Sequence, residues 1–115
     1  MAINKSLQTG STSMLLLKLL EEEDMYGYQM IETLAKRSDN TFSLKAGTLY
    51  PLLHTLEEAG LVRSYEKNAD SARVRKYYSI TPDGLRKLHD KRLEWEEYTT
   101  AVNLVLKGGV RNAAL

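Results

Sequence analysis

The sequence predicts a mainly α fold with one small β-hairpin and a long helix at its end. Three observations carry this. Four stretches repeat apolar residues at helical spacing. Two runs rich in β-branched and aromatic residues, "LVRSYEK" and "VRKYYSI", flank the polar segment "NADSA". The last helical stretch continues without a break from Pro82 to about Lys107.

Residues 1–5 read as a loose arm. The first helix is expected from about Ser6 to Glu23. Met14, Leu15, Leu16, Leu17, Leu19 and Leu20 cover most of its circumference, and a helix that is apolar nearly all round is buried on more than one side. In so short a chain the second side is expected to meet another subunit, which makes Leu16 and Leu20 interface candidates. "DMYGYQMIETLAKRS" predicts a second helix with Asp24 as N-cap and with Tyr28, Ile31, Leu34 and Ala35 along its apolar face. Gly27 falls in its first turn, where a glycine permits close packing. "DNTFSL" reads as a linker with a short strand at Thr41 to Ser43.

The third helix is expected over Lys45 to Ala59. Leu49, Leu52, Leu53 and Leu56 form one core-facing stripe, and Gly60 suits the position just past the end. The opposite face carries Lys45, Thr48, Tyr50, Pro51, His54, Thr55 and Glu58. Its leading turns hold Gly47 and Pro51, residues that a purely structural helix avoids. The two strands then form an antiparallel hairpin. "TPDG" opens the last helix, with Thr81 as cap, Pro82 at the first helical position and Asp83 favourable to the dipole. At 1.5 Å per residue that helix spans about 39 Å, too long for so small a domain to cover. Gly108 and Gly109 stop it, and "GGVRNAAL" reads as a frayed tail.

The division expected is a winged-helix region over residues 1–80, a dimerisation helix over 81–107 and a tail over 108–115. With 115 residues the chain suggests one domain, without room for a large enclosed active site. There is no cysteine, hence no disulfide framework and no thiolate metal site. No apolar run reaches the length of a membrane span and no cleavable signal pattern appears, so a cytoplasmic protein is expected. The net charge is only +1, but it is unevenly placed. Residues 1–60 hold five Lys/Arg against eight Asp/Glu, whereas residues 61–92 hold nine against four. Such a local basic strip suits phosphate.

A helix pair followed by a hairpin describes a winged helix-turn-helix, in which the second helix of the pair enters the major groove of double-stranded DNA. On that reading Gly47 lets backbone approach closely, and Thr48 and Tyr50 bond phosphate or base edges. The blander reading packs Tyr50 and Pro51 against a neighbouring loop. Arg73, Arg75 and Lys76 cluster near the hairpin turn, where arginine suits phosphate or a narrow minor groove. The alternative there is a solvated tip. On the last helix Leu88, Trp95, Tyr98, Val102 and Val105 form a heptad-like seam, expected to dimerise the protein. Paired Trp95 side chains near a two-fold axis would sandwich a planar apolar ligand; the alternative is a plain interface anchor. His54 and His89 are isolated, and "EEED" reads as a solvated helix end. No phosphate loop, nucleophile elbow or zinc-helix motif is present, so neither an enzyme, a metal site nor a cofactor is expected.

The stretches "MYGYQM", "GTLYPLLHTLEEAGLV" and "RVRKYYSITPDG", with the tryptophan-bearing long helix, resemble the PadR family of bacterial transcriptional regulators over about residues 10–106. The resemblance implies a winged-helix homodimer whose last helix packs on the partner's N-terminal region. It also implies repression relieved by a small molecule. It assigns Thr48, Tyr50 and Pro51 to the recognition helix, Arg73, Arg75 and Lys76 to the wing, and Tyr26 to a phosphate contact at the start of the supporting helix. The chain is similar to the short members, some of which bind multiple drugs with a tryptophan at about the place of Trp95. It departs at the wing tip, where many relatives carry "GGRPRKYY" and this chain has "SARVRKYY". Two alternatives remain: a winged-helix protein-interaction module, and a ligand-binding protein without operator specificity.

Overall fold

A computed structural model describes residues 5–70 and 73–108. The order is α1 (Lys5–Glu22), β1 (Met25–Tyr26), α2 (Gly27–Arg37), α3 (Ala46–Glu58), β2 (Val62–Asp70), β3 (Arg73–Ile80) and α4 (Pro82–Lys107). The four expected helices and the hairpin are all present. The turn residues Ser71 and Ala72, the arm before Lys5 and the tail after Gly108 lie outside the described residues.

The core gathers α1, α2 and α3 over one face of the sheet. Leu16, Leu17, Met30, Leu49 and Leu53 have no exposed surface at all. Truncating a leucine in such a setting costs about 2–5 kcal/mol. Leu49, Leu53 and Leu56 are buried and Leu52 packs against them, as the stripe predicts. Gly60 follows α3 with φ of 77°, a conformation that glycine adopts without strain.

Several expectations need correction. The second side of α1 is covered by α4 of the same chain, with α2 and β3 on its other sides. Leu16 and Leu20 are therefore interior to the protomer, and so is Leu88, only 2% exposed. These three have no surface left for a second chain. Asp24 does not cap α2, because the chain is still extended there. Met25 and Tyr26 pair with Tyr78 and Tyr77 as a third strand, which gives the sheet order β1-β3-β2. Tyr26 is the N-cap residue, and its N–H donates to Gln29 Oε1 at 3.4 Å. The strand expected at Thr41 to Ser43 does not form; that segment is a bend running into irregular chain. On α2 the buried stripe is Gly27, Met30 and Leu34, and Tyr28 is 60% exposed.

The start of α4 follows its sequence signals. Gly84 N–H donates to Thr81 Oγ1 at 3.0 Å, and Pro82 opens the helix. Thr81 Oγ1 in turn donates to Gly60 O at 2.6 Å, and Thr81 N–H donates to Leu61 O at 3.0 Å. A Cβ on Gly84 would lie 2.1 Å from Leu61 O. The end of α3 and the start of α4 are thus one packed joint. Gly108, with φ of 78°, closes α4.

Candidate nucleic-acid interface

The exposed face of α3 presents Lys45, Thr48, Tyr50, Pro51, His54, Thr55 and Glu58 together. Pro51 lies past the first turn, so Gly47 O lacks its usual intrahelical donor. His54 Nε2 stands 3.5 Å from Glu58 on the same face.

Tyr50 leans from α3 onto α2. A Cβ built on Gly27 would meet Tyr50 Oη at 2.2 Å, so the ring occupies the space a side chain at 27 would need. This is the close packing expected of Gly27, and its partner is an interface candidate rather than the core.

The strand pairing builds the second half of the site. Tyr26, Tyr77 and Tyr65 lie in register across β1, β3 and β2. Tyr77 stacks on Tyr65 at 5.8 Å between centroids and meets Tyr26 edge-on at 5.4 Å. Asp24 anchors the row by accepting from Tyr65 Oη at 2.6 Å, and this bond raises the Tyr65 hydroxyl pKa. Two cations stand on this aromatic floor: Arg75 over Tyr26 at 4.3 Å and Lys67 over Tyr77 at 5.2 Å. Alternation along β3 puts Lys76 on the other face, beside buried Tyr78, 5.7 Å from its ring. Burial raises the Tyr78 hydroxyl pKa. The arginines share one side of the strand and the lysine takes the other.

Between these parts lies a concavity of about 670 Å³. Tyr26, Gly27, Tyr28 and Glu32 line it from β1 and α2, Tyr50 from α3, and Arg73, Val74, Arg75 and Lys76 from β3. It brings together five of the nine predicted DNA-facing residues. Lys45, Thr48, Pro51 and His54 lie outside it, on the open face of α3. Sequence reasoning missed Tyr28 and Glu32. Tyr28 fits a helical apolar stripe as well as Gly27 does, and only the fit of Tyr50 against Gly27 decides which one turns inward.

At the far end of the molecule α4 leaves the body, and the whole measures 71 × 31 × 21 Å. Trp95 is 47% exposed, Tyr98 and Val105 more so, and Val102 is half-buried. The rings of Trp95 and Tyr98 are 6.4 Å apart. Leu93, Leu104 and Leu106, which the seam did not include, are exposed as well. Among the described residues no group of His, Asp and Glu is arranged to hold a metal, and no helix is long and apolar enough to cross a membrane.

Known proteins agree with this architecture. The chain is 35% identical to a PadR family transcriptional regulator from Eggerthella lenta, covering 90% of this chain and 88% of that one, with a TM-score of 0.80. A PadR-like transcriptional regulator from Bacillus cereus is 31% identical, over 90% and 99% of the two chains, with the same TM-score. A transcriptional regulator of Mycobacterium tuberculosis is 29% identical over 85% of this chain and 88% of its own. These relatives are regulators of transcription rather than enzymes. The Transcriptional regulator PadR-like family matches residues 16–90, the span from the core of α1 through the sheet into α4, and the chain belongs to that family.

Proposed function

We propose that the protein is a cytoplasmic, homodimeric repressor that reads a specific double-stranded DNA operator through α3 and releases it on binding a planar apolar small molecule. One observation carries the DNA reading. Tyr50, seated on Gly27, joins the exposed face of α3 to the concavity that Arg73, Arg75 and Lys76 border. A helix beside a basic hairpin suits a major groove with its flanking phosphates. Arg75 and Lys67 are held on aromatic faces, so less side-chain freedom is lost on meeting a phosphate. The exposed seam of α4 from Trp95 to Val105 supports the dimer, and the half-exposed Trp95 supports the ligand.

The test is binding to duplex DNA from just upstream of the protein's own coding region, against a scrambled duplex, at two salt concentrations. Preference for the native fragment, with affinity falling steeply with salt, is the expected result. Equal binding to both would remove the autoregulatory operator. A protein partner captured by the basic hairpin, with no duplex preferred, would favour an interaction module instead.

A further inference from the structure

Two glycines touch the α2–α3 pair, and the structure accounts for only one. Gly27 is required internally, because a Cβ there collides with Tyr50. Gly47 is not. A Cβ built on it meets nothing within 4 Å, the Pro51 ring included. Its φ is not positive, so an alanine there is unstrained. Helical propensity also favours alanine over glycine. Among the described residues, therefore, no side-chain clash explains a glycine at this position.

Its place on the helix is informative. Gly47, Pro51 and His54 step by four and three, so they share one line on the exposed side. At about 100° per residue, that line lies opposite the buried Leu49, Leu53 and Leu56. Gly47 is thus at the crest of the face, in the leading turns, where an approaching surface arrives first. Thr48 and Tyr50 flank it and are exposed. Gly10 is equally open, but it lies on α1, which adds no residue to this face or to the concavity.

We infer that Gly47 sets how deeply α3 seats in the major groove, and so acts as a specificity-determining residue without a side chain. This rests on the DNA-reading function proposed above. Base-edge hydrogen bonds require about 2.7–3.2 Å between heavy atoms. A methyl group at the crest holds the helix off by more than that tolerance. The hairpin's cations tolerate such a shift, since phosphate attraction is long-ranged. The deficit should fall on sequence reading and not on charge.

The experiment uses the full chain. Wild-type protein first selects its preferred duplex from a random-sequence pool. Wild type, Gly47→Ala, Gly47→Leu and the control Gly10→Ala are then titrated with that duplex and with a scrambled one, at two salt concentrations, and their melting temperatures are recorded. Gly47→Ala is expected to melt no lower than wild type and to lose roughly tenfold or more on the selected duplex, about the size of one mismatched contact. Gly47→Leu loses more. Scrambled binding and the salt slope stay unchanged, and Gly10→Ala binds like wild type. Full affinity in both Gly47 variants overturns the inference while leaving the DNA reading intact. An equal loss on both duplexes also overturns it, because depth in the groove is then not what changed. A wild type that selects no sequence removes the operator reading, and this inference with it.

Discussion

Tyr50 and Lys76 sit on the same concavity but are expected to fail differently. Tyr50 reaches it from α3, so Tyr50→Ala should weaken the operator by about 1–3 kcal/mol and leave the oligomeric state unchanged. Unchanged operator affinity would remove the residue from the site. Lys76 offers only a charge. Lys76→Ala should weaken all duplexes alike and lower the salt slope by about one; a loss confined to one sequence would contradict a phosphate role. Gly27 supplies a third case. Its added Cβ would strike the tip of the Tyr50 ring, the movable end of a side chain. Gly27→Ala should therefore fold, displace Tyr50 and bind DNA about as poorly as Tyr50→Ala. The two changes together should be little worse than either alone, and a fully additive double variant would rule out this coupling. At this scale the sequence was readable wherever one helix face had to be polar, as with Thr48, Pro51 and His54. It was not readable where identity depends on a neighbour distant in the chain. Nothing local in "MYGYQM" tells Gly27 from Tyr28, and nothing in "RVRK" shows that Arg75 turns towards Tyr26.

The helices and the hairpin were legible because each carries its own signals. The joints between elements were not. The strand Met25–Tyr26 is too short to show a period and exists only because β3 offers it a free edge. Its pairing displaces the start of α2 and frees Asp24 for Tyr65. Two joints give expected outcomes. At the first, Thr81 caps α4 and also donates to Gly60 O beyond the end of α3. Thr81→Ala should cost about 1 kcal/mol in stability, as a lost cap does, which denaturant unfolding would read. At the second, Arg37 at the end of α2 donates through both terminal nitrogens to Glu22 at the end of α1, one of them at 3.0 Å. The guanidinium holds the Glu22 carboxyl below its ordinary range. A carboxylate lowered in the folded state adds stability above its ordinary pKa and loses it as the pH falls through the lowered value. Glu22→Gln should therefore melt slightly below wild type at neutral pH, and the difference should vanish in strong acid. The gap is small because the pair is exposed. A gap that persists below the carboxylate range would assign it to packing.

For the whole molecule, the proposed dimer gives the outer half of α4 the task of arranging the DNA heads. A single α3 reads only one half-site, and two heads must be held about one helical turn of DNA apart to read both. The exposed stretch from Leu93 to Leu106 carries apolar residues on more than one side of the helix, including Leu93 and Leu104 off the predicted seam. A surface of this kind suits contact with two elements of a second copy rather than one. The burial of Leu16, Leu20 and Leu88 inside the protomer sharpens the assignment. The proposed interface is therefore placed on the outer half of α4, which the joint at Thr81 anchors to the end of α3. Val105 is 79% exposed and belongs to no part of the protomer core. Val105→Glu should therefore leave the fold of the protomer nearly unchanged, because surface changes of this kind lie within about 0.5 kcal/mol. It should shift the protein towards monomer in sedimentation. Operator affinity should fall far more than affinity for a duplex carrying one half-site, since only the former gains from linking two heads. A variant that stays dimeric would move the interface to the Trp95 end of the seam. A monomer that still binds the full operator as tightly as wild type would detach α4 from DNA reading altogether.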